Sequence, residues 1–260
     1  MSYLVKSGVL AATVLAAGAA SAATLQITVT NEQATGGLYL TPFLSIFHDG
    51  SFDSFDAGAP ASTGVEAIAE EGDIAPLRGI ADAAGHVTAV SANPAGFPGA
   101  PVLDPGEVAT IEIELDSTDN RYFSFLSMVI PSNDTFIGND NPLAYELFDS
   151  TGQFIFDRLI QVTASDAWDG GTELDDGNGA AFAPGTGFAA TETTDPIARL
   201  ANLDFLLGRP QAVGGTVQSA NGLLASISIT EVAPVPLPAG LPLLLAGLGA
   251  LGIAGRRRKA

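Results

Sequence analysis

Residues 123–130 constrain the fold more than any other stretch. Six of the eight are apolar (Phe123, Phe125, Leu126, Met128, Val129 and Ile130), and Pro131 follows at once. The run is the length of one strand, and a residue with no backbone N–H ends it, so the pattern predicts a single buried strand stopping at Ile130. Asp134 then falls on the turn just past that strand. Phe136 and Ile137 return apolar weight to the core, and Gly138, Asn139 and Asp140 allow a second bend. Two readings fit this turn. It is an ordinary polar turn of the kind Asn and Asp fill, or a rim where a rigid scaffold holds oxygen ligands for a hard cation.

Other strands are read by period two. Leu25, Ile27 and Val29 share one face of a first strand over residues 24–30. Residues 38–47 form a second apolar run broken by Pro42, which predicts an edge or a bulge there. Ala109, Ile111, Ile113 and Leu115 alternate with Thr110, Glu112 and Glu114. Only residues 116–120 separate this strand from the run over residues 121–130, so the two are expected to pair as a hairpin. Residues 145–148 and 154–162 form another pair. A last strand runs over residues 223–230.

One helix is predicted over residues 62–71. Ser62 or Thr63 caps it, Val65, Ile68 and Ala69 form its buried face, and Gly72 ends it. Residues 79–106 read as loop with one weak strand near residues 86–90, and residues 196–202 as a helical turn. Short strands at these intervals, one or two short helices and no βαβ rhythm predict an all-β, antiparallel β-sandwich over residues 23–231.

Both ends differ from this body. Lys6, the apolar residues 9–20 and Ala20-Ser21-Ala22 predict a secretory signal over residues 1–22. Residues 232–238 are a Pro-rich linker. Residues 237–255 are uncharged and mostly apolar, a helix of roughly 28 Å, enough to cross one hydrocarbon core. Arg256, Arg257, Arg258 and Lys259 then form a basic cytoplasmic tail over residues 256–260.

Charge narrows the partners. Outside the two end segments, five Arg face 29 Asp and Glu, a body charge of about −24. Such a surface repels nucleic acid and anionic lipid and attracts divalent cations. There is no cysteine, so neither disulfides nor thiolate metal sites are available. His48 and His86 are the only histidines, too few for a multi-histidine zinc site. No nucleophile elbow, zinc-helix motif or phosphate loop occurs. Residues 164–187 form a long acidic, Gly-rich segment carrying Asp166, Asp169, Glu173, Asp175 and Asp176, a candidate functional loop.

Val235-Pro236-Leu237-Pro238-Ala239, an apolar span and a basic cluster resemble the VPLPA variety of PEP-CTERM-type sorting tails. The resemblance implies a bacterial exported protein, anchored in the inner membrane, processed by an exosortase-like sorting protease and passed to the cell surface or its matrix. The body resembles a spondin domain of the F-spondin N-terminal type at three places. These are residues 52–72, with Ala61-Ser62-Thr63-Gly64-Val65 and Ala69-Glu70-Glu71-Gly72; Val129-Ile130-Pro131-Ser132-Asn133-Asp134-Thr135-Phe136-Ile137-Gly138; and Asp169-Gly170-Gly171-Thr172-Glu173.

That resemblance implies a sandwich like the calcium- and lipid-binding domains, with a divalent cation, calcium, at one end. It assigns Asp134 and Asp169 as metal ligands, with Asp116 or, in an earlier register, Glu114 as a third. The family's Trp after the key acidic residue is Thr135 here, and its cysteine is absent. The expected function is an adhesion or binding module, not an enzyme, whose partners include exopolysaccharide or surface proteins. Alternatives are a secreted hydrolase using Asp166 and Asp169 as acid and base, and a ligand-free structural matrix protein.

Overall fold

The computed structural model describes residues 22–93, 97, 100–185 and 189–233. The signal segment before Ala22, the sorting tail and the apolar span at residues 237–255 lie outside them. Among the described residues no helix is long and apolar enough to cross a membrane.

Two antiparallel sheets face each other. The smaller is built on β1 (Ala22–Asn31), which pairs with β5 (Val108–Asp116) on one side and β11 (Leu223–Glu231) on the other; β8 (Ile160–Thr163) closes the far edge against β11. The larger sheet runs β10 (Ala198–Arg199), β9 (Ala167–Asp169), β7 (Thr135–Gly138), β6 (Tyr122–Ile130), β3 (Phe43–His48) and β4 (Val87–Ser91), with β2 (Tyr39–Leu40) also on β6. Pro42 falls in the break between β2 and β3, as its missing donor requires.

The apolar character of β6 has a structural reason. Its odd-numbered residues Phe123, Phe125 and Val129 face β1, Leu25, Ile27 and Ile227 across the inter-sheet core. Leu126, on the opposite face, packs with Leu44, Ile46 and Phe136 under the helices. β3 is split the same way, Phe43 and Phe47 to one side, Leu44 and Ile46 to the other. Phe43, Phe47, Phe123 and Phe125 are all within 1% of full burial, and each contributes about 1.5–3 kcal/mol of transfer free energy.

The covering layer is α1 (Thr63–Glu71) and α2 (Ala75–Ala83). Ser62 caps α1 by accepting the Val65 N–H at 3.3 Å, worth about 1 kcal/mol. Gly72 ends it at φ 64°, its N–H returning to Ile68 O, a conformation that suits glycine. Val65, Ile68 and Ala69 are buried as the spacing predicted.

Three expectations are corrected. β5 and β6 are not a hairpin: β5 pairs only with β1, while residues 117–121 carry the chain across to the other sheet. The alternation of β5 marks a strand with one wet face, and partner choice does not follow from that. Residues 75–83 are helical, although loop was expected from residue 79 onward. Pro76 in the first turn and buried Leu77 and Ala81 one turn apart are start and face signals that the sequence reading missed, and α2 docks on α1, β3 and β4. Residues 196–202 hold β10 where a helical turn was expected.

Candidate functional site

β6 and β7 are joined by a buried turn. Ser132 Oγ accepts the Thr135 N–H at 3.1 Å and donates to Val129 O, which sets its shape. β7 then pairs with β9, putting Thr135 opposite Asp169. The β6–β7 turn and the acidic segment that follows β9 are thereby brought to the same rim.

Asp134 is fully buried. Its Oδ2 accepts the Thr172 N–H at 2.8 Å, the Glu173 N–H at 3.0 Å and the Thr172 hydroxyl at 3.3 Å. Its Oδ1 has no hydrogen-bond partner. Burial lifts the carboxyl to about 6; the Glu173 N–H pulls it back, while the charges of Asp169 and Asp175 push it further up. An unpartnered oxygen of a buried carboxyl costs about 1–3 kcal/mol unless something meets it.

Carboxylates crowd around this point. Asp169 Oδ1 accepts the Gly171 N–H at 2.8 Å, and burial raises its pKa. Asp175 accepts the Asn133 N–H at 3.0 Å and the Thr135 hydroxyl at 3.1 Å, and burial raises it too. Glu173 is lifted by burial to about 7, with Glu70, Glu192 and Asp134 adding like charge. Glu70, from the last turn of α1, also has an unpartnered oxygen and is raised by burial. Arg209 is the cation beside this group, 4.0 Å from Asp175 and bonded to Asn133 Oδ1 at 3.3 Å. Among the described residues, no three His, Asp or Glu side chains are set as a finished metal cage.

Asp134 and Asp169, predicted from sequence, are thus brought together. Asp116 is not. It ends β5 opposite Ala22 in the other sheet and caps its own turn by accepting the Thr118 N–H at 2.8 Å. The nine residues of β6, about 30 Å of strand, run from the Asp116 rim to the Asp134 rim. Glu114, the alternative, pairs with Thr24 on the same smaller sheet.

Thr135, where the resemblance has Trp, spends its hydroxyl on Asp175. Asn133 was missed by sequence reasoning: its side chain donates to Glu173 and Asn178 O and accepts from Gly177 N–H and Arg209. Arg209, between Gly208 and Pro210, carried no sequence signal at all.

The remaining candidates are committed elsewhere. His48 Nδ1 accepts the Gly50 N–H and Nε2 donates to Ser124, each at 3.1 Å, and burial holds the ring neutral with a pKa of about 4. His86 packs edge-on to Phe52. Burial alone would raise Asp166, but the Thr163 N–H and hydroxyl and Arg199 outweigh it and hold the carboxyl below its ordinary range. Both Asp166 oxygens are engaged, which leaves it a poor acid or base.

Compared with protein-family models, residues 33–202 match the family described as Spondin_N. The match contains Asp134, Asp169, Glu173 and Asp175. No curated protein matches the chain.

Proposed function

The chain belongs to the Spondin_N family, and from that premise we propose that it is a non-enzymatic binding module whose loops are stabilised by a divalent cation, calcium by ligand chemistry. The observation that carries this reading is the buried, unpartnered Asp134 Oδ1 beside Asp169. The donors fit the ion: they are carboxylate oxygens, with no sulfur and no free imidazole, as a hard cation prefers. Asp134 and Asp169 would hold it, with backbone carbonyl or water oxygens completing the shell. Asp116 plays no part.

The ion would neutralise charges that otherwise repel one another. In doing so it would tie the β6–β7 turn to the segment after β9 and stiffen the rim that both present to solvent. The engaged Asp166 argues against the hydrolase alternative. We further propose that the protein is exported, anchored through residues 237–255, sorted by an exosortase-like protease and displayed at the surface, where exopolysaccharide or surface proteins are its partners. The signal and tail motifs support that part.

The test is thermal unfolding with calcium and then with chelator. An extracellular-type site with Kd of about 0.1–1 mM contributes roughly 1–3 kcal/mol at about 10 mM ion. A shift no larger than about 2 °C rejects the cation and leaves a ligand-free structural module.

A further inference from the structure

The sandwich is closed along one side and open along the other. β4 and β5, edge strands of the two sheets, lie against each other. On the opposite side the edges are β8 and β10, and a cleft of about 260 Å³ lies between them. We propose that this cleft is a binding subsite for one ring of a neutral saccharide.

Size is the first argument. The cleft is below the range of about 300–1,000 Å³ that holds drug-sized ligands, so its occupant is a single small ring or one unit of a chain. The floor is apolar: Phe125, Val162 and Trp168 are each no more than 5% exposed. Tyr145 forms a half-buried wall, its ring packed against Phe125 with centroids 6.1 Å apart. An apolar floor with an aromatic wall receives the C–H face of a ring.

The polar groups provide the second argument. Among the described residues, the Tyr145 hydroxyl and the Gln161 amide at the mouth have no hydrogen-bond partner in the protein, and Asp140 uses only Oδ1, on the Ala57 N–H. A phenol, an amide and a carboxylate oxygen offer both donors and acceptors, as hydroxyl groups require. Burial and the Asp166 charge raise the Tyr145 phenol, so it stays a donor.

Charge decides between saccharides. Arg199, stacked over Trp168 at 5.2 Å, is paired with Asp166 and its charge is cancelled. Arg158, 5.9 Å over the Tyr145 ring, offsets Asp140 locally, so it is the acidic body as a whole that repels uronates and sulfated sugars. This subsite stands apart from the carboxylate cluster and does not depend on the cation.

Trp168 is the only tryptophan in the chain and lines the cleft, so its emission reads the site directly. The full chain, held in a non-glycosidic detergent because of its apolar tail, is titrated with cellotriose, maltotriose, mannotriose and a trigalacturonate, all in chelator. At least one neutral trisaccharide is expected to give a saturable change in the millimolar range. Tyr145→Phe removes a hydroxyl that bonds nothing in the protein, and Gln161→Ala alters an exposed position, so both variants should fold. Each should weaken binding about fivefold, the size of one net hydrogen bond. No saturable response from folded protein, a response to the uronate alone, or affinity unchanged in both variants overturns the proposal. Because chelator is present throughout, failure here is separate from failure of the calcium reading.

Discussion

Thr135 and Asp169 face each other across the β7–β9 ladder. That pairing joins two segments more than thirty residues apart, and it places the orphan oxygen of Asp134 beside a second carboxylate.

Asp134→Asn should separate charge from hydrogen bonding. The amide oxygen can still accept from Thr172 and Glu173, while an NH2 replaces the unpartnered oxygen amid acidic neighbours. In chelator, above about pH 6 where Asp134 is otherwise ionised, the variant is expected to melt higher than wild type. Its response to calcium should vanish. A variant that melts lower in chelator yet keeps the calcium shift would sink the assignment.

The metal-free protein should lose stability as pH rises from about 4 to about 7. Asp134 is raised from 3.8 to about 6 and Glu173 from 4.5 to about 7. Below the unfolded values both states hold these protons and the contribution is fully present; it is lost as pH rises through the folded values. His48 runs the other way: lowered from 6.5 to about 4, it contributes above 6.5 and loses that contribution as pH falls. The two carboxyls outweigh the one imidazole, so unfolding curves in chelator should show stability falling from about pH 4 to about pH 7, with His48 offsetting part of the fall. Asp134→Asn should flatten this fall, and wild-type stability that rises with pH over that range would contradict the shifts.

Gly171→Ala should destabilise the fold and the site together. Gly171 sits at φ 70°, and a Cβ there would lie 2.2 Å from Asp195 O. The left-handed backbone costs about 1–2 kcal/mol for an L-residue before the clash is counted. The Thr172 and Glu173 amides that hold Asp134 follow directly. A fall in Tm of at least about 4 °C is expected; a wild-type melting curve would show that the loop relaxes freely.

Asp116→Ala is the contrasting control. It removes a local cap on Thr118 and Asp119 at the far rim, so the loss should stay within about 1 kcal/mol. The calcium increment should equal that of wild type. A diminished increment would mean that the ion sits elsewhere than the Asp134 rim.

What was legible in the sequence was local. Period two marked β1, β5 and β11, and an apolar run ending at Pro131 marked β6; Ser62 and Gly72 bounded α1; Pro42 marked a strand break. Each signal comes from a residue's own backbone or from neighbours a few positions away. The resemblance picked out Asp134 and Asp169 by motif.

Only the tertiary structure decided which strands met. The wet-faced alternation of β5 suits any antiparallel neighbour, and packing gave it to β1 instead of β6, which moved Asp116 to the opposite rim. α2 carries Pro76 in its first turn and Leu77 and Ala81 on one face, but Gly79 interrupts the pattern, and its docking on α1, β3 and β4 shows only in the fold. Arg209 and Asn133 join the carboxylates through contacts as much as 76 residues apart. Strand-forming tendency is set by side chains along one segment, whereas partnership and burial depend on surfaces that exist only once the layers have met.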